Sequence, residues 1–404
     1  MAGILEGIRV LDWSWWHQGP AVSYILGDMG AQVIKIEDPV QGDAMRGTRR
    51  FMGIPVDLPG GRNVLFELAN RNKKSIVLNL KHPRGKEAFY RLVEKSDVFI
   101  NNFRPSVRQR LGLDYPTLAR HNPRLVYATA SGWGRDGPDN ELRSFDTLGV
   151  ARSGLMFNIG EPGPAPQQMV FGIADQMGAT MVAFGILAAL FYRERTGVGQ
   201  EVESSLFGTM VHAQAIAVAA SLLLGQDIPR PSRHSQFNPL IGWYQCQDGE
   251  WVIFAHNQPQ EFWHNFCQAL GLGHLEDDPR FETTKARGDN NKELIALIDQ
   301  TVARRPRKEW LEIFRQHDLV FSPVQRLSEL AKDPQALDNR YIVDLDHPVL
   351  GHMQAVGFPV QFSQTPCAVQ GPAPEFGQHT EEVLIEVAGY SWEDIASLRE
   401  AGAI

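Results

Sequence analysis

Residues 7–37 read GIRVLDWSWWHQGPAVSYILGDMGAQVIKIE. Gly7–Trp13 has the aliphatic run of a buried strand. Pro20–Met29 reads as a short helix with its proline in the first turn, where a missing N–H costs nothing. Gln32–Glu37 reads as a second strand. The pattern repeats outward: strands at Lys74–Leu80, Asp97–Asn102 and Arg124–Ala130, helices at Pro83–Lys95 and Tyr115–His121. Alternating β and α units predict an α/β fold, a Rossmann-like large domain built on a parallel sheet. Ligands then belong at the carboxyl ends of the strands.

The same stretch excludes a dinucleotide site. Glu37 or Asp38 sits where a ribose-binding acid would be, but Trp13-Ser14-Trp15-Trp16-His17-Gln18-Gly19-Pro20 replaces the glycine loop. Three tryptophans do not let a backbone close on a pyrophosphate.

Further along, Met177–Tyr192 and Leu206–Leu224 are apolar and long enough to question as membrane spans. Their Ala, Gly and Thr content, with His212 and Gln214, favours buried helices in a core or subunit interface, with no membrane partner. A Pro/Arg/Ser-rich passage between Gly225 and Trp243 reads as a linker. Trp243–Phe254 reads as a hairpin turning at Asp248-Gly249, followed by helices at Gln260–Leu270, Asn291–Arg304 and Arg307–His317. The expected organisation is a large domain over 1–225, a smaller α+β domain over 226–335, and a segment over 336–404 returning to the first.

The 404 residues are 43% hydrophobic and 21% charged, with net charge −8. That balance argues against nucleic acid as a partner. Three cysteines, none in a CxxC, argue for a reducing, cytoplasmic setting and against a disulfide framework. The N-terminus has no signal-peptide pattern. No cluster has metal-ligand spacing, so no metal is expected.

Asp175 is a lone acid ahead of a long apolar segment. Such an acid caps a helix, and the same position holds a carboxylate ready to attack a thioester carbonyl. Both readings stand on local sequence alone. Residues 175–207, DQMGATMVAFGILAALFYRERTGVGQEVESSLF, closely resemble the signature segment of the class III CoA-transferase (CaiB/BaiF) family, which includes formyl-CoA and carnitine CoA-transferases. The resemblance extends to residues 7–37, to GDAMRG at 42–47, to residues 70–115 and 122–138, and to APEFGQHTEEVL at 373–384.

This resemblance implies an enzyme that passes coenzyme A between carboxylic acids through covalent intermediates on Asp175, with CoA thioesters as substrates and no permanently bound cofactor. It places Lys81, Asn102, Phe103, Arg110 and Arg143 on CoA, and His17 beside the reacting thioester. Asp38 departs from the formyl-CoA branch, which has a cation there. The resemblance also implies an interlocked dimer, either a homodimer or a heteromer with a related chain. Asp175 argues against a non-catalytic partner subunit. Racemases of the family need a histidine where this chain has Phe145, which carries no proton. Asp146 remains, either to orient substrate in the pocket or to share the anhydride chemistry, or simply as a helix cap at 144–147.

Trp15, Trp16, Trp133 and Phe145 fall in segments that the family places around the acyl pocket. They point to a bulky or aromatic acid rather than formate or oxalate. Residues 225–260 hold three separated glycines and no glycine-run lid. The expectation is succinyl-CoA as donor and an arylsuccinate such as benzylsuccinate as acceptor. A carnitine-type acceptor is the second choice, because aromatic rings also hold quaternary ammonium groups.

Overall fold

The computed structural model describes residues 3–404. The chain divides into two compact units. Among the described residues, the first holds 3–156, 168–226 and 334–404; the second holds 157–167 and 227–333. Residues 157–167 thus join the smaller unit, although they lie well before the linker.

The first unit is built on six parallel strands: β1 (Arg9–Trp13), β2 (Gln32–Glu37), β3 (Lys73–Val77), β4 (Val98–Asn101), β5 (Val126–Ser131) and β6 (Glu201–Ser205). Their order is β3-β2-β1-β4-β5-β6, with β1 parallel to both β2 and β4. This is the doubly wound order, and the crevice it opens lies between β1 and β4. The α/β reading from the sequence therefore holds. β6 was not anticipated: EVESS is polar, and only its pairing with β5 makes it an edge strand.

Both faces of the sheet are covered. Helix α1 (Gln18–Asp28) and helix α2 (Ile173–Thr196) pack on one face through Ala21, Val22, Ile25, Ala179, Val182, Ala183 and Ile186. The other face buries Phe89, Leu92, Phe99 and Tyr127 together with Val383, Leu384, Ile395 and Leu398 from the chain's last helices. That last segment also closes the exposed side of β3: Ser75 O accepts from His379 N at 2.9 Å and Val77 N donates to Thr380 Oγ1 at 3.0 Å.

Helix α2 has 24 residues and is long and apolar enough to cross a membrane by length and composition. Here one side of it is core. Phe184 and Phe191 on the other side are each 67% exposed. The second apolar stretch is not one helix but two, Leu206–Ala213 and Ala215–Leu224, bent by 76° at Gln214. The Gln214 side-chain amide is spent on the bend, donating through Nε2 to Met210 O at 3.0 Å and Ser153 O at 3.2 Å.

The second unit is a three-stranded antiparallel sheet, Phe321–Val324, Trp251–Ala255 and Ile241–Gln245 in that order. Gly249 takes φ +78° in the expected hairpin turn. Helices Pro259–Leu270, Asn291–Val302 and Arg307–Gln316 pack over it around Phe254, Phe266 and Phe314.

Candidate active site

The loop after β1 is the first wall of the crevice. It is held from three directions. Asn102, just after β4, grips the Trp15 backbone twice: Trp15 N donates to its Oδ1 at 3.1 Å and its Nδ2 donates to Trp15 O at 2.6 Å. Lys35 donates to Ser14 O at 2.9 Å. Asp43, in the GDAMRG segment, accepts from Trp16 N at 3.2 Å. Trp16 needs that support, because its φ of +67° lies in the region that non-glycine residues avoid. Gly19 is required for a different reason: a Cβ there would meet Ser14 Cβ at 2.4 Å.

Beneath the loop is a buried ionic cluster. Lys35 pairs with Asp43 at 2.8 Å and Lys73 pairs with Asp12 at 2.9 Å, all four side chains fully buried. Burial lowers the Lys73 pKa to about 8 against the pull of Asp12. Ser23 adds a hydrogen bond to Asp12 at 2.6 Å.

Two adjoining cavities open on this loop. The first, about 430 Å³, has Asp175 in its wall together with Trp15, Trp16, Phe103, Arg143 and Phe145. The second, about 390 Å³, shares Trp15, Phe103 and Val107 with the first and carries the cations Lys81, Lys86 and Arg110. Phe103 stacks on Trp13 at 4.1 Å and meets Trp15 edge-on at 5.4 Å, so the partition between the cavities is aromatic.

Asp175 is not the helix cap. Gly172 occupies that position with φ +87°, and Asp175 lies in the first turn of α2. Its own backbone N–H donates to Asp146 Oδ1 at 3.0 Å. Asp146 opens helix α3 (Asp146–Arg152) and is buried. Burial raises the Asp175 pKa to about 7, with the Asp146 carboxylate adding to the rise. A carboxylate poised near neutrality in a mainly apolar cavity suits nucleophilic attack on an acyl group.

His17 lies behind this pair, not in the cavity lining. Its Nε2 is 3.2 Å from Gln176 Oε1. Burial lowers its pKa, only partly offset by Gln176 and Asp146, so the ring is neutral near pH 7. Trp133 is also outside the lining; its ring lies against the Arg152 guanidinium at 5.1 Å. Lys81 faces both the second cavity and Asp38, 3.6 Å away.

Sequence reasoning missed Arg104, Arg108 and Glu203 in the first cavity and Lys86 in the second. Arg108 and Glu203 carried no local signal, since one lies on a short helix and the other on the unanticipated strand. Lys86 lies in the first turn of the helix Pro83–Glu94, five positions after Lys81, and was legible as a basic pair around Pro83.

Residues 5–380 match the description of CoA-transferase family III. The chain belongs to that family. It is 30% identical to the (R)-2-hydroxy-4-methylpentanoate CoA-transferase of Clostridioides difficile, with 99% of each chain covered. It is 32% identical to the cinnamoyl-CoA:phenyllactate CoA-transferase of Clostridium sporogenes, covering 98% of this chain and 96% of that one. The succinyl-CoA:glutarate CoA-transferase of Mus musculus is 32% identical over 99% of this chain and 90% of its own. Among solved structures, a CaiB/BaiF family protein from Brucella suis superposes with TM-score 0.85 at 28% identity, covering 96% of this chain and all of that one. This family III protein is a CoA-transferase, and its substrates are CoA thioesters and carboxylic acids.

Proposed function

We propose that this CoA-transferase moves CoA from succinyl-CoA to a bulky or aromatic carboxylic acid, with Asp175 as the nucleophile. The observation that carries the reading is the joined pair of cavities: Asp175 in an aromatic one, and Lys81, Lys86 and Arg110 in a basic one. The basic cavity suits the phosphates of CoA. Trp15 and Phe103 line the passage along which the pantetheine arm carries the thioester toward Asp175.

An Asp175 oxygen attacks the thioester carbonyl, the C–S bond breaks, and CoA leaves as thiolate. The thiolate attacks the aspartyl carbonyl of the mixed anhydride, and the donor acid departs as carboxylate. The acceptor carboxylate then attacks the aspartyl-CoA thioester, again expelling thiolate. That thiolate takes the acceptor's acyl group from the new anhydride and frees Asp175. No proton is gained or lost, and the exchange of one thioester for another is nearly isoenergetic. Asn102, Phe103 and Arg143 border the path of CoA, while His17 and Asp146 hold the first turn of α2 and its surroundings.

Aromatic walls support the choice of acceptor: Trp15, Trp16, Phe103 and Phe145 together favour aryl-substituted acids, benzylsuccinate among them. The name of the relative acting on cinnamoyl-CoA and phenyllactate points the same way, and that of the relative acting on a branched hydroxy acid supports a bulky acyl group. The donor rests on the succinyl-CoA enzyme among the relatives. We also infer a dimer of like chains working in the cytoplasm. The apolar residues Phe184, Phe191, Ile216, Leu222 and Leu223, each at least 67% exposed, suit burial against a second copy, and three free thiols suit a reducing compartment.

Intact-protein mass spectrometry after incubation with succinyl-CoA tests the reading. Wild type should gain a hydroxylamine-sensitive adduct of CoA mass, and Asp175→Ala should not. An adduct on the variant would remove Asp175 as the nucleophile. Transfer to oxalate or formate, with none to aryl acids, would overturn the acceptor class.

A further inference from the structure

Residues 132–145 join β5 to helix α3 and contain neither helix nor strand. They supply one stretch of the Asp175 cavity wall, with Gly132, Asn140, Leu142 and Phe145 among the lining. The two ends of the segment touch: a Cβ at Gly132 would run into Ser144 Oγ. Gly134 and Gly137, with φ +106° and +96°, turn the chain in between. This is the form of an Ω-loop, a compact surface loop closed at its base.

None of these residues is buried. Leu142 and Phe145 are 54% and 55% exposed, although both border the cavity. Apolar burial therefore contributes little to holding the loop down, and its fastenings are polar. Glu141 makes the main one. Its Oε1 accepts from Ser106 N at 2.8 Å and its Oε2 from Ser106 Oγ at 2.7 Å, while its backbone carbonyl accepts from Arg104 Nη1 at 3.2 Å. Arg104 and Ser106 follow β4, so the loop reaches from the end of one strand to the end of its neighbour. At a second point Asp139 pairs with Arg152 at 2.6 Å. The Arg152 guanidinium lies 5.1 Å from both the Trp133 and the Phe207 rings. The Ser106 hydroxyl, with its N–H and Arg104 adding, lowers the Glu141 pKa, so the carboxylate is ionised at neutral pH.

An aspartyl-CoA thioester faces a competing reaction. Water adds its oxygen to the aspartyl carbonyl and the C–S bond breaks. The departing thiolate keeps one of water's protons, and the other is lost to solvent as Asp175 returns to a carboxylate. The thioester is then consumed with no acid activated.

We propose that residues 132–145 are a cover over the Asp175 cavity, latched by Glu141 to Ser106, and that Glu141 is a positioning residue that makes the covalent intermediate react with a carboxylic acid rather than with water. The role assigned to Glu141 rests on the reading of Asp175 as the nucleophile. Unlatched, the loop has no buried side chain to draw it back, and water enters the cavity.

The test gives succinyl-CoA, with no acceptor acid, to wild type, Glu141→Ala and Glu141→Gln. Release of CoA thiol is followed, and the CoA adduct is weighed in parallel. Glu141 lies outside the core, so its replacement leaves the fold in place. The readout is thiol release per molecule of adduct, which a smaller folded fraction does not move. Glu141→Ala should raise it by about tenfold or more. Glu141→Gln keeps an amide oxygen for Ser106 and should stay within about threefold of wild type.

A value for Glu141→Ala within about threefold of wild type, with a normal adduct, would overturn the cover and leave the nucleophile standing. So would an equal fall in adduct and thiol release, the pattern of a loop that only seats the donor. No adduct on any of the three proteins defeats Asp175 as the nucleophile instead. The thiol rate then decides the cover alone: a rise of about tenfold in Glu141→Ala supports it, and an unchanged rate defeats it.

Discussion

The backbone N–H of Asp175 donates to the carboxylate of Asp146 at 3.0 Å. This contact ties the first turn of one helix to the first residue of another and sets a second acid beside the Asp175 carboxylate. It offsets part of the benefit that a helix N-terminus gives an anion, and with burial it holds the Asp175 pKa up at about 7.

Activity should therefore rise with pH. With Asp175 as the proposed nucleophile, only its ionised form attacks, so kcat/KM is expected to climb through pH 7 and level off above it. Asp146→Asn removes a charge that raises the Asp175 pKa, so the rising limb should move to lower pH. A pH profile of both proteins checks this; an unmoved limb would separate the rate from Asp175 ionisation.

Stability should show the opposite trend. The folded chain holds a proton on Asp175 up to about pH 7, while an unfolded aspartate releases it near pH 4. Between those values the folded state binds more protons, so this group's contribution to stability falls as pH rises. Asp175→Asn is expected to gain about 1–3 kcal/mol over wild type at pH 8 relative to pH 4. Denaturant melts at the two pH values measure the difference. The same variant should lose transfer activity by about 10⁴-fold or more.

Asn102 reaches its Trp15 contacts across the opening between β1 and β4. Asn102→Ala leaves two backbone groups to find other partners and frees the tryptophan loop. An increase in KM for acyl-CoA of about 10–100-fold is expected, read from initial rates across a range of acyl-CoA concentrations.

Lys81 and Arg110 should govern affinity rather than chemistry. Lys81→Ala and Arg110→Ala are expected to raise KM for every CoA thioester by about 5–50-fold with little change in kcat, and the wild-type advantage should shrink at high salt. Asp38 competes for Lys81 from 3.6 Å, so Asp38→Asn should lower KM by about 2–5-fold. Steady-state kinetics at two ionic strengths tests all three.

The ionic cluster under the loop should be intolerant of single changes. Lys35→Met leaves Asp43 charged and without its cation in a fully buried place. A loss of about 3–5 kcal/mol is expected, measured by urea unfolding.

Much of this was legible in the chain. Period, length and turn chemistry mark β1, β2, helix α1 and the hairpin at Gly249, because those signals are local. The family pattern around Asp175 singles that residue out. Strand β6 escaped because EVESS is polar; its partner β5 makes it a strand. The break at Gln214 escaped because an apolar run of 19 residues looks continuous until side-chain amides find backbone acceptors 4 and 61 positions away.

What the sequence by itself determined was the α/β fold on a parallel sheet, the absence of a glycine phosphate loop and Asp175 as the residue to look at. Each follows from residue type at short range: alternation of strand and helix patterns, bulky rings where glycine is required, and a motif read in order. Only the tertiary structure decided which groups meet. It set Asp146 against Asp175, tied Trp15 to Asn102 over 87 positions, and put Arg108 and Glu203 into one wall from different elements. Those pairings depend on sheet order and helix docking. They arise from packing over long separations, and no local pattern encodes them.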